Sequence, residues 1–155
     1  MTRGEIYNAI SEFLDLIRYG RESVQANEEQ LVIALDRLAF VYQFSEAAFD
    51  ERNYPDSPDR NYSELRAVVV ERFPNYGYYN LPCEVTIKIA ETEEMVGDAI
   101  DDITDIALDM QEIEWKWKNT SETDAIWHFR YGASRHWIDH MRHLQFYLNA
   151  RYYEA

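Results

Sequence analysis

From Ser121 to Glu154 the chain reads SETDAIWHFRYGASRHWIDHMRHLQFYLNARYYE, and its large side chains recur with helical spacing. Trp127, Trp137, Met141, Leu144 and Leu148 fall on one side of a 3.6-residue helix. His136, His140 and His143 stand at i, i+4 and i+7 on the other side, with Phe129 and Tyr147 beside them. A helix with bulky groups on two sides needs cover on two sides. The stretch therefore predicts one long helix over 121–154, central to the fold, with a kink or close helix contact at Gly132.

The preceding chain reads as further helices. Thr2-x-x-Glu5 is a capping box ahead of Ile6, Ile10, Phe13, Leu14 and Ile17, and Gly20 stops that helix. Asn27-x-x-Gln30 predicts a second start, followed by Leu31, Leu35, Leu38, Val41, Tyr42, Ala48 and Phe49 on one face. So short a link makes the first two helices an antiparallel hairpin. Two prolines and several Asp, Asn and Ser residues make 50–60 a surface loop. Its acids Asp50, Glu51, Asp56 and Asp59 lack the alternating spacing, central glycine and closing glutamate of a calcium loop. Asn61-x-x-Glu64 caps a short third helix ended by Pro74.

Residues 75–82 (NYGYYNLP) carry three tyrosines, which suits a loop pinned against the end of the bundle or an aromatic contact patch. Val85, Ile87 and Ile89 alternate like a strand but find no second strand signal, so 84–90 is expected to be an extended lead-in that could pair with a second copy. A fourth helix is expected from Thr92 to Trp117, with Glu91, Glu93 and Glu94 at its start and Lys116 and Lys118 at its end, as the helix dipole favours. Its acids Asp98, Asp101, Asp102, Asp105, Asp109 and Glu112 lie opposite its apolar face and are expected in solvent. The expected fold class is all-α: a single domain over 1–155, a bundle of about five helices.

Net charge decides among partners. With 29 acidic against 15 basic residues the formal charge is -14, and such a field repels phosphate backbones and anionic lipid. No nucleic-acid or membrane partner is expected. Cys83 is the one cysteine, so no disulfide framework or cysteine metal site can form, and MTRGEIYNAISEF lacks the features of a secretory leader. Together they point to a cytoplasmic address.

Three chemistries have residues of the right type in this sequence or lack them. His136 and His140, at i and i+4, can chelate one ion with His143 or Asp139 near, and imidazole with carboxylate suits a divalent transition metal. The same two histidines also suit partly buried positions bonded to backbone or to acids, with His143 in water. Glu91-x-x-Glu94 and Asp102-x-x-Asp105 resemble the carboxylate pairs of all-helical nucleotide pyrophosphohydrolases, but both pairs share one helix. Nothing accompanies Cys83 as a base, and no glycine loop could cradle phosphate. No cofactor is expected beyond a possible divalent ion.

The run Gly97–Gln111 (GDAIDDITDIALDMQ), then Asp124–Trp137, then HMRHLQFYLNARYY, is similar to the C-terminal half of a bacterial family called domain of unknown function 5063. LDRLAFVYQFSEA resembles that family's N-terminal half. Asp102 and Asp105 match its acidic helix and Trp137 its tryptophan, while Ile138 stands where a glycine is common. The resemblance implies an all-helical fold and no assigned activity.

The reading that follows is a non-enzymatic module that binds a protein partner or small ligand through Tyr76, Tyr78, Tyr79 and Trp137, with homodimerisation on a spare aromatic face. The alternative is a metal-dependent hydrolase that uses His136 and His140 with acidic residues.

Overall fold

The computed structural model describes residues 1–132 and 134–154. Six helices and a two-stranded sheet appear in the order α1 (Arg3–Tyr19), α2 (Val24–Phe44), α3 (Tyr62–Arg72), β1 (Tyr78–Pro82), β2 (Glu94–Asp98), α4 (Ala99–Asn119), α5 (Glu122–Arg130) and α6 (Ser134–Glu154). The chain is predominantly helical, and all six helices contribute to one apolar core. No helix among the described residues is long and apolar enough to cross a membrane.

The predicted Thr2–Glu5 capping box is formed in both directions at α1. At α2 the cap is Ser23, whose side chain accepts from Ala26 N, four residues before the predicted start. Asn27 is buried instead: its Oδ1 accepts from Arg21 N at 2.6 Å and its Nδ2 donates to Arg72 O at 3.1 Å. This side chain ties the α1–α2 turn to the end of α3. Helix α2 also stops at Phe44, so Phe49 lies outside it, edge-on to Trp127 at 5.1 Å.

The strand signal was misplaced. Residues 84–90 form no strand; the chain on either side of them pairs antiparallel, with Tyr78 opposite Asp98 and Pro82 opposite Glu94. Thr92 and Glu84 close the intervening loop, with Glu84 N donating to Thr92 Oγ1 at 2.8 Å and Thr92 Oγ1 donating to Glu84 at 2.7 Å. Lys88 and Ala90 turn it with φ of 49° and 63°. Strand β2 therefore occupies what was expected to be the first turns of the fourth helix. The helix begins at Ala99, capped by Asp98, whose carboxylate accepts from Ile100 N and Asp101 N.

The predicted single C-terminal helix is two. Tyr131 N bonds back to Trp127 O, closing α5, and a Cβ on Gly132 would meet His128 Nδ1 at 2.5 Å. A side chain there would have to displace the His128 ring, and His128 Cα lies only 3.1 Å from the same point. The centre of the molecule is also a different helix from the one expected: α4 packs against α1, α3, α5 and α6. A helix with neighbours on so many sides has little surface left for solvent, and that decides where its acids go.

Candidate functional site

Every member of the α4 acidic stripe is buried or half-buried, and none is exposed. This corrects the expectation of a solvated stripe. The wheel places the acids opposite the apolar face correctly, but α3, β1 and α6 cover that side too. Each acid then has a partner, as a buried charge requires. Arg66 of α3 donates to Asp98 at 2.8 Å, the hydroxyl of Tyr62 donates to Asp101, and the hydroxyl of Tyr79 on β1 donates to Asp102. Ser57 bonds Glu112 at 3.3 Å.

The middle of the stripe meets two histidines of α6. His140 Nδ1 lies 2.7 Å from Asp102 Oδ1, and its Nε2 lies 3.2 Å from Asp105 Oδ2. His136 Nδ1 is 3.0 Å from Asp109 Oδ2, and its Nε2 is 4.0 Å from the same Asp105 oxygen. The two rings stand edge to face at 4.7 Å. Ionised carboxylates only accept hydrogen bonds, so beside ionised Asp102 and Asp109 each Nδ1 is the donor, and by the same rule a protonated His140 Nε2 donates to Asp105.

The electrostatics follow from crowding. Burial raises the Asp105 pKa, and the charge of Asp101 pushes the same way, against the lowering effect of His140 and His136. Burial likewise raises that of Asp109, opposed by the hydrogen bond from His136. For His140 burial opposes the charge, but the bond to Asp102 and the charges of Asp102, Asp105 and Asp101 together outweigh it, so its pKa is raised. One ligand atom each from Asp105, His136 and His140 lie within 4.8 Å of one another, as do atoms of Asp101, Asp102 and His140. His143 is exposed and belongs to neither group.

The expected tyrosine site divides differently. Tyr76 is buried, stacked on Phe73 at 5.4 Å and edge-on to Tyr147 at 5.6 Å, so it pins the loop as the first of the two readings required. Burial first, then the Glu28 charge, push its hydroxyl pKa up. Tyr78 is exposed. Tyr79 packs on Tyr147 at 5.0 Å, and its ring covers Gly97, where a Cβ would meet Tyr79 Cζ at 2.3 Å. Tyr78, Tyr79, Phe146, Tyr147, Arg151 and Glu154 line a groove of about 450 Å³ between the hairpin and the end of α6. Trp137 has no exposed surface: it stacks on Phe129 at 5.1 Å and donates to Phe129 O, so a partner docking from outside cannot reach it.

Sequence reasoning missed Asp102, Asp105 and Asp109 as companions of the histidines, and Phe146 and Tyr147 as companions of the tyrosines. The spacing signal was present for both, since Asp102/Asp105/Asp109 and His136/His140 are each helical ladders. What the spacing lacked was which two ladders face each other. Set against family models, curated proteins and solved structures, this chain matches none.

Proposed function

We propose that the chain is a non-enzymatic interaction module that holds a protein partner at the aromatic groove between the β1–β2 hairpin and the C-terminal half of α6. The observation that carries this reading is the pair of exposed rings at the groove, Tyr78 at 74% and Phe146 at 57%, with Tyr79 and Tyr147 beside them. Aromatic rings are the side chains that interfaces favour, because they bury much area at little conformational cost. Tyr152 and Tyr153 extend exposed aromatic surface along the end of α6. The formal charge of -14 favours a partner with a neutral or basic contact face.

A photo-crosslinking residue at Phe146 tests this, with one at Tyr19 as control; Tyr19 is an exposed ring that lines no part of the groove. The expected outcome is one dominant adduct at Phe146 that disappears in a Tyr78→Ala background. The same adducts from both positions would end the proposal, whereas an adduct of twice the chain mass would make the partner a second copy. The second reading, a metal-dependent hydrolase, draws on the His136/His140/Asp105 cluster. Such an enzyme needs a substrate-sized recess beside its ion, and the aromatic groove is lined by other residues.

A further inference from the structure

We propose that Asp105, His136 and His140 together bind one divalent first-row transition-metal ion, of the zinc and manganese class, on the seam between α4 and α6.

The donor set is right in kind and in position. Two imidazoles and a carboxylate from two packed helices suit zinc, manganese or iron, whereas magnesium and calcium take oxygen ligands. An ion with bonds of about 2.0–2.1 Å holds its ligand atoms roughly 3.3 Å apart in a tetrahedron. The separations from Asp105 Oδ2 to His140 Nε2 and His136 Nε2 are 3.2 and 4.0 Å, and one ligand atom from each of the three residues lies within 4.8 Å of the others, so side-chain adjustment without backbone rearrangement closes the site.

The rings are also held in a ligating orientation. A metal-ligating histidine almost always donates its other ring N–H to a carboxylate or carbonyl, which fixes the tautomer and aims the free lone pair. Both histidines here are held in this way through Nδ1, His140 by Asp102 and His136 by Asp109. Both then turn Nε2 toward one oxygen of Asp105. Asp102 is itself fixed: it is 4% exposed and accepts the Tyr79 hydroxyl, whose ring is held between Gly97 and Tyr147.

The local charge favours a cation as well. Asp102 and Asp105 sit in the middle of a half-buried stripe, met by imidazoles and a tyrosine hydroxyl rather than by lysine or arginine. A divalent ion supplies the missing positive charge where desolvation makes it worth most. The His136 side chain is 51% exposed, which leaves a side of the ion open for water to complete the shell. Three protein ligands and one open position are the coordination pattern of non-structural zinc sites.

The test is calorimetric titration of tag-free, chelator-treated protein with zinc and manganese, with magnesium as the hard-cation control. The expected result is one equivalent of a transition ion bound, at least tenfold weaker in Asp105→Asn, abolished in His136→Ala/His140→Ala, and unchanged in His143→Ala. Asp105→Asn keeps the shape of the side chain, so it reads coordination even if the double variant unfolds. Tyr79→Phe is expected to weaken binding about 10-fold or more by releasing Asp102, an effect typical of outer-shell partners. Histidine Nε2 signals in nitrogen-15 spectra should move on addition of zinc at positions 136 and 140. Binding no tighter for zinc than for magnesium, or binding that survives Asp105→Asn unchanged, would overturn the site.

Discussion

Helices α2 and α4 are both 21 residues long, yet they treat their outward faces in opposite ways. Helix α2 buries Leu31, Ala34, Leu35, Leu38 and Val41 and leaves Val32, Ile33, Phe40 and Phe44 to solvent, with the last two rings 5.0 Å apart. Helix α4 buries its apolar residues on one side and covers its acidic stripe on the other, Asp102 fully and the rest by half. Polarity along the sequence sets which residues share a face; the number of neighbouring elements sets whether that face is covered. The two mismatches, apolar groups outside and acids inside, are the informative ones, because single exposed hydrophobes are ordinary and buried carboxylates are not.

The comparison can be sharpened by substitution. Trp137→Ala, where α6 packs on Phe129 of α5 and Tyr42 of α2, is expected to cost about 3–5 kcal/mol, because a large, fully buried ring leaves a cavity that close-packed neighbours fill only in part. Chemical denaturation measures it, and a loss under 1 kcal/mol would mean that the apolar face of α6 is not packed as described. Gly97→Ala ranks next, at about 1–3 kcal/mol, since the new methyl group would overlap the Tyr79 ring. Its thermal unfolding should fall while an alanine at Gly77, where a Cβ meets nothing within 4 Å, should be mild. Phe40→Ser and Phe44→Ser should each shift stability by less than about 0.5 kcal/mol. A larger loss would show that the outer face of α2 is covered in solution, most simply by self-association, and sedimentation would reveal it.

Alkaline pH gives a further test of the stripe. Burial, then the bond to Asp101, push the Tyr62 hydroxyl up to about 12 from its ordinary 10.0. Tyr79, on Asp102, and Tyr76 are raised as well, mainly by burial. A group whose folded pKa is raised contributes stability that is complete below its unfolded value and is lost as pH climbs through the folded one. Stability should therefore fall between pH 10 and about 12, and Tyr62→Phe should flatten part of that fall. An unchanged slope would place the tyrosine outside the stripe.

Much of the helical architecture was legible because caps and apolar spacing are local. Thr2 with Glu5, and Asn61, cap as their spacing implies. The boundaries that failed were those with two local solutions. Ser23 competed with Asn27, and the acid-rich start expected at Thr92 gave way to a strand because Tyr78–Pro82 offered an antiparallel backbone partner, Tyr78 to Asp98 and Pro82 to Glu94. The break at Gly132 was readable as a kink but not as a full separation of helices. At the candidate site each ladder was visible in the sequence, but their meeting was not, since α4 and α6 are joined through α5 and the angle between them follows from packing. Likewise Trp137 was readable as part of an apolar stripe, and only the covering of that stripe by Tyr42 and Phe129 removes it from the surface.

Asp98 is at once the last residue of β2 and the cap of α4, and its carboxylate is also held by Arg66. No soft segment separates strand from helix, so the two behave as one lever, with α3 clamped at the fulcrum through that guanidinium. A pull on the exposed tip carrying Val85, Ile87 and Ile89 would be borne along the axis of α4 rather than absorbed by a loop. The hairpin is thus mechanically in series with the carboxylates that follow it, and the seam under load would register a force applied far from it.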